Sequence, residues 1–400
     1  MKLTSDQPFW LIKNGLYATY PPLEDDVRCD VVVAGAGISG ALVAQRLASD
    51  GYSVIVIDSR DICTGSTSAS TALLQYDIDL TLVEMAKKIG GEQAEAAYKI
   101  SHRSIDDLAK IAEDVGGDCN FTRKKSIFLA ADRTKAKLLA NEARARKAIG
   151  LDVVYHDERS VMETFGLRGV AALSSDQAAS CDPYRFAHAL LKNTTANGGR
   201  IFDRTRVTKF HCDAQGVRLE TDRGPGILAR HAVIATGYES QSMLNEKVVN
   251  LDNSYAIVSQ PLKSVAPWNS EWMMWEAKDP YLYLRITSDN RLLVGGEDDE
   301  FHSPVRRDAS LAKKAVAIGA KVRNLIPDLQ WETEFAWAGT FGKTKDGLAY
   351  IGKTDEYPNC YFALGFGGNG ITFSSIATNI ISDLVAGKPN RDAALFRFGR

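Results

Sequence analysis

Three glycines spaced Gly35-x-Gly37-x-x-Gly40 stand between an apolar run, Cys29-Asp30-Val31-Val32-Val33-Ala34, and an Ala- and Leu-rich stretch. That pattern can hold a pyrophosphate. The first glycine allows a tight turn, the second lets backbone approach the phosphates, and the third lets helix pack on strand. The anion would rest on a helix N-terminus, where unpaired N–H groups and the dipole favour negative charge. Asp58 lies 21 residues after Gly37, where a carboxylate accepts ribose hydroxyls. Gly35, Gly37, Ile38, Ser39, Gly40, Asp58, Ser59 and Arg60 are therefore the expected dinucleotide contacts. A second small-residue loop follows, Gly65-Ser66-Thr67-Ser68-Ala69-Ser70-Thr71-Ala72-Leu73-Leu74-Gln75. A simple NAD domain needs no such loop, whereas a longer dinucleotide with a flavin ring needs a further backbone cradle. FAD is thus expected, with contacts from Ser66, Thr67, Ser68, Ser70, Thr71, Leu73 and Gln75. By composition alone, the same loop also suits an ordinary surface turn.

The elements that must position these residues follow from the local pattern. The β-branched run before Gly35 reads as a buried strand, Ala41 to Asp50 as a helix closed by Gly51, and Tyr52 to Asp58 as a second strand. Together they form the start of a βαβ unit. The first 28 residues read as an irregular arm broken by Pro21-Pro22. Residues 80–118 look helical, as do Lys135 to Ile149, Arg185 to Thr195 and Leu311 to Leu325. From 252 to 298 the pattern is rich in strand formers. Gly365-Phe366-Gly367-Gly368-Asn369-Gly370 precedes a helix over Ile371 to Ala386, a second anion-favouring helix start in the chain.

Composition narrows the classes. Four hundred residues, 45% hydrophobic and 24% charged, describe a globular chain of two to three domains. Its 48 basic and 50 acidic residues argue against nucleic acid as a partner. No apolar run reaches membrane length and no secretory signal opens the chain, so a cytoplasmic protein with no transmembrane segment is expected. The cysteines (Cys29, Cys63, Cys119, Cys181, Cys212, Cys360) form no CxxC, and no metal site is expected.

Asp30 to Gly40, the Gly65–Ser70 loop and Ala235-Thr236-Gly237 together resemble the D-amino acid oxidase superfamily of FAD-dependent oxidoreductases. Within it the chain is most similar to the glycine oxidase and sarcosine oxidase branch. Trp337-Ala338-Gly339, Lys345 to Gly352 and Gly365 to Thr372 resemble that branch's C-terminal blocks. The resemblance implies an α/β fold, a Rossmann-type FAD-binding domain joined to an α+β substrate domain on an antiparallel sheet. The FAD-binding domain would comprise 1–80, 171–240 and 331–400, and the substrate domain 81–170 and 241–330. It adds Val207, Ala235, Thr236, Gly237, Gly342, Gly367, Gly368, Asn369, Gly370, Ile371 and Thr372 to the cofactor contacts. The final helix start would face the flavin pyrimidine edge. No His lies in the Gly-Ser-Thr loop, and Cys360 is not at the branch's attachment position, so the FAD is expected to be non-covalent.

The resemblance also implies flavin oxidation of a C–N bond in an amine or N-substituted amino acid, with O2 or another electron acceptor. Tyr281 falls where the branch places its carboxylate-binding Tyr. The branch's arginines are missing: Thr340-Phe341 and Gly367-Gly368 stand in their places, and Leu293 stands near the active-site Lys position. Tyr281, Phe341, Lys343, Arg285 and Tyr255 are therefore the candidate catalytic residues, with Lys343, Arg285 or Arg291 able to replace the lost cations. A larger or less acidic amine is favoured over a small free amino acid, in a pocket that Trp268, Trp272, Trp275 and Tyr283 would help to line. Of the six histidines only His302 merits a test. Two alternatives stay open on this fold: a dehydrogenase of a 2-hydroxy acid or polyol phosphate, and a non-catalytic flavoprotein. The oligomeric state is not legible.

Overall fold

The first apolar run forms the strand Val27–Ala34, whose Val31, Val32 and Val33 are fully buried because both faces of its sheet are covered. It pairs in parallel with Gly226–Ile234 on one side and Val54–Ile57 on the other. Arg200–Phe202 and Cys360–Leu364 extend the parallel order outward, and Tyr350–Lys353 closes one edge antiparallel. The structure is a computed structural model describing residues 2–5, 7–116, 119–266 and 268–400, so Gly117 and Asp118, expected at the end of a helix, lie outside it. Helices Ile38–Ser49, Gly91–Asp114, Pro183–Ala196 and Gly370–Val385 pack into one core with Val31, Val33, Val54 and Val56 of the sheet. On the other face Val32, Ile55 and Ile57 pack with Val217 and Leu219 of an antiparallel hairpin. Asp182-Pro183 starts the 183–196 helix: the carboxylate accepts the Tyr184 and Arg185 N–H groups, and proline fits the first turn.

The second sheet has nine strands. Their order is Thr333–Lys343, Asn250–Pro261, Arg291–Glu300, Tyr283–Ile286, Trp272–Glu276, Thr122–Ala130, Ala171–Ser180 and Leu73–Gln75, with Val154–Asp157 also on Ala171–Ser180. Neighbours are antiparallel except Trp272–Glu276 with Thr122–Ala130. Helix Pro304–Leu325 buries Ile318 and Val322 against Ile257, Leu284 and Val294 on one face. Ser254, Ala256 and Tyr283 point from the other face into a cavity between the sheets.

Two expectations change. Strands Leu73–Gln75, Ala171–Ser180 and Thr333–Lys343, placed by sequence with the nucleotide half, pair in the second sheet. Their ladder partners there run antiparallel, and most of those partners lie far away in the chain, which sequence proximity does not show. The N-terminal arm is also more regular than its polar composition suggests. Phe9–Asn14 is helical, because Phe9 and Trp10 are buried against Trp337 and Ser70. No helix of the described residues is long and apolar enough to cross a membrane.

Candidate functional site

One cavity of about 570 Å³ runs from the Gly35 loop to the Gly365–Thr372 loop. At its first end a Cβ on Gly35 would sit 2.4 Å from the Ala235 carbonyl oxygen, and one on Gly40 would sit 1.8 Å from the Gly35 oxygen. Only glycine permits this approach of strand, loop and helix. The Ile38–Ser49 helix has no side-chain cap at Gly37, and Gly37, Ile38 and Ser39 line the cavity. The Ile38 N–H donates to the Thr67 hydroxyl at 2.9 Å, which leaves the Ser39 and Gly40 N–H groups of the first turn to an anion. Asp58 accepts the Ala36 and Arg60 N–H groups at 2.8 and 2.9 Å, which fixes its carboxylate at the strand end. Burial raises its pKa, against those two hydrogen bonds.

The expected cofactor contacts meet here with two exceptions. Ser59, Arg60, Ser66, Thr67, Ser70, Thr71, Leu73, Gln75, Val207, Ala235, Thr236 and Gly237 all line the cavity, as do Gly342 and Gly367 to Thr372. Gly40 lies behind the wall as a packing residue. Ser68 turns inward and donates to the Gly65 carbonyl at 2.9 Å, closing the Ser66–Ala69 turn of helix. The Gly370–Val385 helix also lacks a side-chain cap, and Ser39 and Ser374 join the two helix starts by a 2.7 Å hydrogen bond. Gln75 Oε1 is buried beside this loop with no protein donor. These features fit FAD: a cradle that a Cβ would fill, two uncapped helix starts on one cavity, and an orphaned acceptor at the far end.

The far end departs from the sequence expectation. Tyr281 and Phe341 line it, but Tyr255, Arg285 and Lys343 do not. Tyr255 sits between cavity-facing Ser254 and Ala256, so strand alternation turns it to the opposite face. There its hydroxyl meets Asp299 at 3.2 Å and Lys314 lies over its ring. Arg285 is two residues beyond Tyr283, past the end of the cavity. It donates to the Thr71 and Cys181 carbonyls at 2.8 and 2.9 Å, and burial lowers its pKa to about 10. Its place is behind the Ser70–Gln75 loop and not beside a substrate. Lys343 is held by Asp252 at 2.6 Å, and Arg291 by Asp289 and Glu334. Trp268, Trp272 and Trp275 pack in cores elsewhere, and His302 does not reach the cavity.

Two carboxylates that sequence reasoning passed over mark this end. Asp298 lines the cavity wall. Asp79 accepts the Gly368 N–H at 3.3 Å, and a Cβ on Gly367 would sit 2.3 Å from its carboxylate. Asp79 thus occupies the space that an arginine at 367 would cross. The phenols of Tyr281 and Tyr283 are held protonated by burial first and by these carboxylates second. Ser254 joins the Tyr283 hydroxyl at 2.8 Å. One signal for Asp298 was present: Gly295-Gly296 followed by acidic residues inside a strand pattern marks a bulge.

Comparison with known proteins bears on this site. The chain is 23% identical over 392 residues to the gamma-glutamylputrescine oxidoreductase of Escherichia coli (strain K12), covering 94% of this chain and 88% of that protein. It is 25% identical over 370 residues to a glycine oxidase of Bacillus licheniformis, covering 90% and 94%. The solved L-proline dehydrogenase of P. horikoshii shares the fold with a TM-score of 0.79 at 21% identity, covering 94% of this chain and 97% of that one. The resemblance read from the glycine loops and C-terminal blocks is thereby borne out. Because the model for FAD dependent oxidoreductases (DAO) matches residues 30–384, the chain belongs to that family.

Proposed function

We propose that this enzyme oxidises a C–N bond of an amine or N-substituted amino acid. Bound FAD supplies a two-electron acceptor for a hydride from the carbon beside nitrogen. The glycine cradle and the two helix starts hold its charged half, while Tyr281, Tyr283 and Phe341 shape the space at the other end.

The observation that carries this reading is the charge of the far end. Among the described lining residues from Ser254 to Thr372 there is one carboxylate, Asp298, and no Lys, Arg or His. A hydroxy acid or polyol phosphate enters as an anion and meets no cation there. An amine enters with an ammonium that the carboxylate attracts.

The same lining supports non-covalent FAD. It contains no Cys or His; the Cys63 thiol donates to the Ala36 carbonyl behind the loop, and Cys360 is buried in the sheet. O2 or another acceptor reoxidises the cofactor, and six free cysteines suit a cytoplasmic setting.

Anaerobic titration of the ~450 nm flavin band tests the reading. Bleaching by members of an amine panel, and not by hydroxy acids, is the expected result. Bleaching by hydroxy acids alone would overturn it.

A further inference from the structure

Strand Arg291–Glu300 is irregular at one point. Gly295 faces the cavity side, since its partner Tyr283 lays its ring across it, and a Cβ there would sit 2.2 Å from that ring. Simple alternation would then put residue 297 in the cavity and 298 against the Pro304–Leu325 helix. Instead the pairing shifts between Asn253 and Tyr255, and Glu297 takes φ +58°. This bulge reverses the alternation. Glu297 and Asp299 turn to the helix, where Lys314 and Lys321 pair with them. Asp298 turns into the cavity. A non-glycine residue at positive φ is strained, so its position is maintained against local preference.

What Asp298 meets there is incomplete. Its Oδ1 is buried and takes no hydrogen bond from the protein. Its other partners are Ser254 by hydrogen bond and, at longer range, Lys343, Asp79 and Asp252. Lys343 is already held by Asp252. Tyr281 and Tyr283 face Asp298 from the neighbouring strand region as neutral phenols. A buried carboxylate oxygen aimed into the cavity with no donor is an open place for an N–H of a bound molecule. Asp79 at the Gly367-Gly368 loop, its pKa raised by burial, fills the space where a cation for a substrate carboxylate could stand.

We infer, resting on the C–N oxidation reading, that Asp298 receives the ammonium of the substrate and that this substrate is a cationic amine with no carboxylate beside its reacting nitrogen. Asp298 also takes the proton that must leave. The ammonium N–H bond breaks, the Asp298 O–H bond forms, and the nitrogen keeps its lone pair. Bound FAD would accept the hydride from the neutral amine, and water would convert the resulting iminium to carbonyl and amine. Burial first, then Asp79 and Asp252, raise the Asp298 pKa to about 7, against Ser254 and Lys343. Below that pH the carboxyl is neutral and loses its hold on a cation.

The test uses FAD-loaded protein and two anaerobic probe sets: N-methylalkylamines of increasing chain length, and N-methylglycine, which carries the same methylamino group beside a carboxylate. The alkylamines should bleach the flavin with the lower KM. Asp298→Asn should keep its FAD and raise that KM roughly 30-fold or more, the usual effect of removing one partner of a buried charge pair. It should also lose the fall in kcat/KM below pH ~7. Asp298→Glu should recover part of the affinity. Preference for N-methylglycine, or an Asp298→Asn variant with unchanged KM and pH profile, would overturn the inference and leave C–N oxidation standing. Bleaching by hydroxy acids alone would remove both.

Discussion

The two ends of the cavity are built by different means. The end at Gly35, Gly37 and Asp58 is made of backbone: glycine contacts, an uncapped helix start and a carboxylate fixed by two N–H groups. The end at Tyr281, Tyr283, Phe341 and Asp298 is made of side chains from an antiparallel sheet. A backbone cradle depends on residues that must be glycine, so a side chain there is a steric matter. A side-chain wall depends on which face each residue turns to, and a single bulge changes that. One fold can thus keep a backbone-built end while register redraws the side-chain end.

Substitutions can break this contrast, starting with the most severe. Gly40→Val places atoms within 1.8 Å of the Gly35 oxygen, so the expected result is protein without flavin and a stability loss above about 4 kcal/mol. Absorbance of the purified protein and a urea melt would check it; a yellow, stable variant would mean that the cradle is not close-packed. Arg285→Met comes next. It leaves the Thr71 and Cys181 carbonyls without donors and should cost about 3 kcal/mol, with weaker FAD binding. At saturating FAD its KM for substrate should stay at the wild-type value, because Arg285 lies behind the loop.

The pH dependence of the cofactor-free protein gives a smaller effect. The folded-state pKa of Asp298 is raised from 3.8 to about 7, so the stability associated with its protonated form is complete below 3.8 and is lost as pH rises through 7. A rise of about three units at about 1.4 kcal/mol each caps the loss at about 4 kcal/mol, and screening by cavity water brings it to on the order of 2 kcal/mol. Asp298→Asn should therefore melt progressively higher than wild type between pH 4 and 7, and a constant gap across that window would contradict the assignment. Smallest is Tyr255→Phe, which removes the hydroxyl contact to Asp299. A loss of about 1 kcal/mol with unchanged KM is expected, and a large KM change would place Tyr255 at the substrate after all.

Legibility in the sequence follows the same divide. Gly35, Gly37, Gly40 and Asp58 carry their chemistry in their spacing, because a strand, a tight turn and a helix leave one geometry open. The Ser66–Gln75 loop and the Gly367–Thr372 loop were readable for a related reason: small residues before a helix leave its N–H groups exposed. Tyr255, Arg285 and Lys343 were misread because proximity in sequence does not say which face a strand residue takes or whether a carbonyl or carboxylate already holds it. Asp298 was passed over because its direction depends on a bulge paired against a strand some forty residues earlier. Asp79 was passed over because only the folded chain brings it to Gly367.

The central claim is that cofactor and cation meet at the Asp298 end. A crystal structure of the FAD-loaded protein, soaked anaerobically with an N-methylalkylamine, tests it most directly. The account predicts the flavin ring beside Gly367 to Thr372 and the amine nitrogen within about 3 Å of an Asp298 carboxylate oxygen. Amine density that avoids Asp298, or a flavin ring directed away from Tyr281 and Tyr283, would contradict it.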